Sequence, residues 1–118
     1  MPAKTILLVE DDPAVREALE QALAFENYQV VPACDPQQAM RRFAENHIDI
    51  ALLDLNLGVE TGWDTFQRLA NLRPRLPIIV MSGRPDQFSH ASARNAAGLM
   101  EKPLDLSYLF QKLAALSP

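Results

Sequence analysis

Three short runs of almost unbroken apolar residues, Thr5 to Val9, Ile48 to Leu53 and Leu76 to Met81, constrain this chain more than any other feature. Each is rich in Ile, Val and Leu and far too short for a membrane span, which fits strands covered on both faces in a parallel sheet. Each also stops against a polar residue, Glu10, Asp54 and Ser82 in turn. Tyr28 to Cys34 and Leu99 to Glu101 are weaker strand candidates that bring the number to five.

Between these runs the apolar residues recur at helical spacing. Val15, Ala18, Leu19, Ala22 and Leu23 form one stripe, Trp63, Phe66, Leu69 and Ala70 another, and Leu106, Leu109, Phe110 and Leu113 a third. Asp12-Pro13 and Asp35-Pro36 each place a capping carboxylate before a first-turn proline, marking the starts of helices one and two; the second ends near Asn46. Phe25, Trp63 and Phe66 are expected in the core.

Five strands alternating with five helices predict an α/β fold: a three-layer, doubly wound, five-stranded parallel sheet. Right-handed crossovers leave few topologies, and the flavodoxin-like order 2-1-3-4-5 fits a unit of this length. One domain over residues 1–118 is expected, since 118 residues, nearly half of them apolar, suffice for a single core.

A formal net charge of −4 without any Lys/Arg run argues against direct nucleic-acid contact. No stretch is long and apolar enough to span a bilayer, and Met1-Pro2-Ala3-Lys4 leads straight into a strand, so a cytoplasmic protein without membrane contact is expected. Cys34 is the only cysteine and reads as a small, partly buried residue. His47 and His90 have no second ligand at metal spacing and read as structural.

Ligands of open parallel sheets bind beyond the carboxyl ends of the strands. Glu10-Asp11-Asp12, Asp54, Ser82 and Lys102 all fall there. Several carboxylates in one crevice repel one another unless a cation offsets them, and a hard divalent metal does so with oxygen ligands. Asp11 and Asp54 are the carboxylates offered to Mg2+, with Mn2+ as an alternative ion. Lys102 adds a compact cation and Ser82 a hydroxyl donor, both suited to a phosphoryl group. Asp12 reads as a helix cap in preference to a ligand.

Leu7-Leu8-Val9-Glu10-Asp11-Asp12, Leu52-Leu53-Asp54-Leu55-Asn56-Leu57, Met81-Ser82-Gly83 and Glu101-Lys102-Pro103 resemble, in order and over almost the entire chain, the four signatures of response-regulator receiver domains. The resemblance implies that Asp54 is the phosphoacceptor and that Glu10 and Asp11 are the acidic metal pair. It further implies that the Asn56 backbone carbonyl faces the metal, that Ser82 and Lys102 contact the phosphoryl group, and that Lys102-Pro103 is cis. Such a domain takes a phosphoryl group from a sensor histidine kinase or phosphotransfer protein, switches an interaction surface read by an effector protein or output domain, and is not a turnover enzyme on an external substrate.

Two departures from the family bear on the switch: Leu99 stands where an aromatic residue is usual, and the Ser82 to Lys102 segment is about two residues short. Gly83-Arg84-Pro85-Asp86-Gln87-Phe88, with its Gly and Pro, predicts a shortened fourth helix or a mobile entry loop, with Arg84 near the site. Gly58 and Gly62 bracket the loop after Asp54, where close backbone approach is useful. Ser117-Pro118 follows the last helix closely, as in a stand-alone receiver or one cut from a longer regulator.

Three other functions fit less well. A receiver-like interaction module that is never phosphorylated draws only on those departures. A magnesium-dependent phosphohydrolase of the haloacid dehalogenase class needs a second aspartate where Asn56 stands. A flavin or nucleotide site lacks a Gly-rich loop after the first strand.

Overall fold

The computed structural model describes residues 3–57 and 60–116. Met1-Pro2, Gly58 and Ser117-Pro118, on which some expectations rest, lie outside the described residues.

The main sheet is built from β1 (Thr5–Val9), β2 (Gln29–Ala33), β3 (Ile50–Asp54), β4 (Ile78–Ser82) and β5 (Gly98–Glu101). All neighbours pair in parallel in the order 2-1-3-4-5, the predicted topology. β1, β3 and β4 are the inner strands, and every residue of β3 and β4 is buried, which is why they read as unbroken apolar runs. Side-chain alternation divides the core in two. Leu7, Val9, Ala51, Leu53 and Val80 pack on one face with Ala39, Phe66 and Leu69; Ile6, Leu8, Leu52, Ile79 and Met81 pack on the other with Leu19, Leu23, Leu109 and Leu113.

Four α-helices cover these faces: α1 (Pro13–Phe25), α2 (Pro36–Glu45), α3 (Gly62–Leu72) and α4 (Leu106–Leu116). Asp12 accepts from the Ala14 and Val15 N–H groups and Asp35 from that of Gln38, with proline following each cap, as the sequence predicts. Among the described residues no helix is long and apolar enough to cross a membrane.

The helix expected between β4 and β5 is not α-helical. Two 3-10 turns, Pro85–Ser89 and Ala91–Asn95, stand in its place and meet at His90, whose backbone is extended. The segment offers little apolar surface beyond the part-buried Phe88 and the buried Ala93. Its Ser and His side chains compete for backbone groups, as when His90 Nδ1 accepts the Ser92 N–H at 3.0 Å. The sequence reading also missed a minimal antiparallel hairpin, Asn56–Leu57 against Glu60–Thr61, directly after β3.

Phe25 is a second correction, being 87% exposed. Leu19 and Leu23 define the buried stripe of α1, and two residues further on the helix has turned about 200°, so Phe25 points away from the sheet.

Gly62 is where α3 crosses closest to the sheet. A Cβ there would lie 2.5 Å from Leu55 Cα and 2.8 Å from the Asp54 carbonyl oxygen, both backbone atoms. Gly62→Ala is therefore expected to cost about 2–3 kcal/mol, because neither neighbour can give way without shifting the end of β3; a urea titration checks it.

At the opposite end of the sheet Asp49 ties β3 to β1. Its carboxylate accepts the Thr5 N–H at 2.8 Å and faces His47 Nε2 at 3.0 Å. Partial burial would raise the Asp49 pKa, but the Thr5 bond and the nearby His47 outweigh it and hold it below the ordinary carboxylate value. A depressed folded-state pKa stabilises above the unfolded pKa and stops doing so as pH falls through the folded value. Asp49→Ala should cost about 1–2 kcal/mol at neutral pH, and the deficit should fade below about pH 4, as read by denaturation at both pH values.

Candidate functional site

The polar residues that end β1, β3, β4 and β5 converge at the carboxyl edge of the sheet. Glu10 follows β1 and is fully buried; Asp54 ends β3 and is nearly so. Burying two carboxylates side by side is costly unless a cation compensates them. Lys102, after β5, supplies it: its Nζ lies 2.6 Å from Glu10 Oε1 and 3.2 Å from Asp54 Oδ2.

The protonation equilibria carry the mark of this crowding. Burial pushes the Glu10 carboxyl above its ordinary pKa, the adjacent Asp54 carboxyl adds to the shift, and Lys102 only partly offsets it. Burial would lower the Lys102 pKa, but its bond to Glu10 and the Asp54 charge prevail and raise it.

Asp11 completes the acidic group from an exposed position. Glu10, Asp11 and Asp54 offer carboxylate oxygens within 4.8 Å of one another, a spacing that one divalent cation can bridge. With all groups ionised, three carboxylates against one ammonium leave two negative charges over, which such a cation would balance. The acidic cluster is thus capable of coordinating a divalent metal.

Local backbone bonds hold these groups in place. The Asn56 N–H donates to Asp54 Oδ1 at 3.0 Å, so the hairpin after β3 fixes the carboxylate. Arg16 Nη1 donates to the Glu10 carbonyl at 2.9 Å and ties the loop between β1 and α1 to the first turns of α1. Asp12 faces away as a cap. The Lys102-Pro103 peptide is cis.

Ser82 is fully buried at the end of β4, and its hydroxyl oxygen accepts the Arg84 N–H at 2.9 Å. Its proton goes to Gln87 Oε1 or to the Arg84 carbonyl oxygen, which lies 3.1 Å away. Arg84 points into solvent and pairs with Asp86 at 3.4 Å, both side chains exposed. Neither Arg16 nor Gln87 stood out in the sequence. An arginine four residues after a capping aspartate is ordinary helix composition, and a glutamine in a polar stretch carries no periodic signal.

An apolar groove of about 540 Å3 adjoins the site, lined by Ala14, Val15, Ala18, Pro103, Leu104 and Leu106. It runs between α1 and the loop that carries Lys102.

Residues 6–114 match the family model of the response regulator receiver domain. The chain is 35% identical over 112 residues to the DNA-binding transcriptional regulator NtrC of Bradyrhizobium sp. (strain RP501 Parasponia), covering 92% of this chain and 23% of that protein. It is 35% identical over 119 residues to the response regulator MprA of Mycobacterium sp. (strain KMS), covering 98% of this chain and 51% of that protein. It therefore spans about a quarter of the one relative and about half of the other. Among solved structures, response regulator protein TrrA from Thermotoga maritima, in complex with Mg2+-BeF, superposes with a TM-score of 0.89 at 25% identity, covering 96% of this chain and 98% of that one. A CheY-like receiver domain from Methanospirillum hungatei JF-1 gives 0.88 at 27% identity, covering 96% and 92%.

Removing the ammonium while keeping the bulk of the side chain tests the balance of charge. Lys102→Met leaves Glu10 and Asp54 facing each other without compensation and is expected to cost about 3 kcal/mol at neutral pH, measured by urea unfolding without added metal.

Proposed function

The chain belongs to the response regulator receiver domain family, and from that premise we propose that Asp54 is its phosphoryl acceptor, in a two-component signalling protein that acts in the cytoplasm. The observation that carries this reading is a single one: the Asp54 carboxylate sits between a part-buried lysine and an acidic group able to hold a divalent cation.

Glu10, Asp11 and Asp54, with the Asn56 backbone carbonyl, would hold Mg2+, or Mn2+ in its place. The ion in the complex of TrrA, a protein of the same fold, supports that choice. A bound Mg2+ would neutralise charge on the oxygens of the incoming phosphoryl group.

A carboxylate oxygen of Asp54 attacks phosphorus in line, forming a P–O bond. The bond from phosphorus to the donor breaks, and its electron pair leaves with the histidine nitrogen of a sensor kinase or phosphotransfer protein, or with the carboxylate of a small acyl phosphate. Lys102, already within reach of Asp54, stays beside the transferred group as its fixed positive charge. The Ser82 hydroxyl donates to a phosphoryl oxygen once its proton is freed from residues 84 and 87. Water later cleaves the acyl phosphate, so Asp54 is nucleophile and signal in one group, and the chain turns over no other substrate.

The groove between α1 and the Lys102 loop supports docking of the phosphodonor, because it is apolar and opens beside the acceptor. An effector protein or output domain reads the surface that changes with Ser82. No direct nucleic-acid contact is assigned to residues 1–118, which carry a formal net charge of −4.

Intact mass after incubation with Mg2+ and acetyl phosphate tests the reading. A phosphoryl adduct is expected in the wild type, absent without the metal and absent in Asp54→Ala. A protein that binds Mg2+ but stays unmodified would overturn it in favour of a phosphorylation-independent interaction module.

A further inference from the structure

We infer that Gln87 is a positioning residue: its side-chain carbonyl holds the Ser82 hydroxyl proton in the unmodified protein, and this hold must be released before Ser82 can donate to a phosphoryl group. The inference rests on the roles proposed above for Asp54 and Ser82 and adds the residue that sets the cost of using Ser82.

A serine hydroxyl has one proton to give. Among the described residues, the hydrogen bonds of Ser82 Oγ all run to its own downstream segment: the Gln87 carboxamide, the Arg84 carbonyl and the Arg84 N–H. Ser82 is fully buried, so water offers no alternative partner. A new bond to phosphoryl oxygen is therefore an exchange against the Gln87 carboxamide and the Arg84 carbonyl, of which the carboxamide is the one a side chain supplies.

The position of Gln87 is itself enforced. Its backbone carbonyl accepts the Trp63 Nε1–H at 3.0 Å. Trp63 is buried against Phe66 edge-to-face at 5.2 Å and stacks on the His90 ring at 5.1 Å. The indole thus pins the main chain of the first 3-10 turn, which keeps the Gln87 side chain within reach of Ser82. Trp63 is also the only tryptophan, so the residue that fixes Gln87 is the residue whose fluorescence reports on it.

Gln87→Met removes the carboxamide but keeps the chain length and the backbone carbonyl that Trp63 uses. Adduct formation with Mg2+ and sub-saturating acetyl phosphate should run about fivefold faster in this variant than in the wild type, the equivalent of one ordinary hydrogen bond. Placed on Ser82→Ala, the same substitution should change the rate by less than about twofold, because there is no hydroxyl left to release. Trp63 emission of unmodified Gln87→Met should already be shifted towards that of the phosphorylated wild type.

Equal rates in wild type and Gln87→Met would overturn the inference. So would an acceleration that persists in the Ser82→Ala background, since Gln87 would then act on the segment as a whole. An adduct in the wild type with either of those results discards Gln87 alone, whereas no adduct in the wild type removes the assignment of Asp54 and the inference with it.

Discussion

One ammonium group makes the arrangement of this molecule tenable. Glu10 and Asp54 lie at the ends of adjacent strands with almost no exposure, and unpaired they would drive each other towards protonation or the fold towards opening. Lys102 bridges both. Three strand spacings separate β1 from β5, nominally about 14 Å, yet Lys102 Nζ and Glu10 Oε1 meet at 2.6 Å. Only a long cationic side chain leaning across the end of β4 can close that span, which excludes every residue but lysine and arginine.

The order of the strands does the remainder. With β1 and β3 adjacent, Asp11 and Asp54 come within one metal's reach although 43 positions apart in the sequence. The crossover helices then need only hold the strands in register. Gly62 does this most directly, since α3 begins against the backbone of Asp54 and Leu55 with no room for a side chain. The acidic cluster thus depends on the sheet for its approximate position and on two small backbone devices, Gly62 and the Asn56 N–H, for its final geometry.

What the sequence made legible follows from how much of each signal is local. β1, β3 and β4 were plain because burial on both faces leaves polar residues only at their ends, and Asp12 and Asp35 were plain because a capping carboxylate before proline has one good geometry. The residues alone offered Asp11 to the metal and the resemblance added Glu10, and folding separates the two: Glu10 is turned inward to Lys102 while Asp11 stays exposed. That difference depends on which face of the chain meets a residue 92 positions away, and no local pattern carries it. Phe25 was misread because helical spacing was counted without asking where the stripe ends. The helix expected after β4 was inferred from the alternation of elements, and its own residues never supplied an apolar stripe.

The missing apolar stripe after β4 leaves stiffness unevenly distributed. The strand ends that carry Glu10 and Asp54 are locked by parallel ladders on both sides, so the carboxylates cannot move without opening the core. The segment from Gly83 to Ala96 has no such ladder. It is held by Trp63 on Gln87 and His90, by Gln67 Nε2 on Ser92 Oγ at 2.6 Å, and by the burial of Ala93. Contacts of this kind contribute about 1 kcal/mol each, so the segment belongs to the part of the molecule that opens locally at low cost. On the proposed role of Asp54, a group transferred to it would meet a rigid set of charges on one side and, at Ser82, a hydroxyl mounted on the start of a weakly held segment. Any displacement it caused would be directed there, because the rest of the crevice has no comparably cheap way to move.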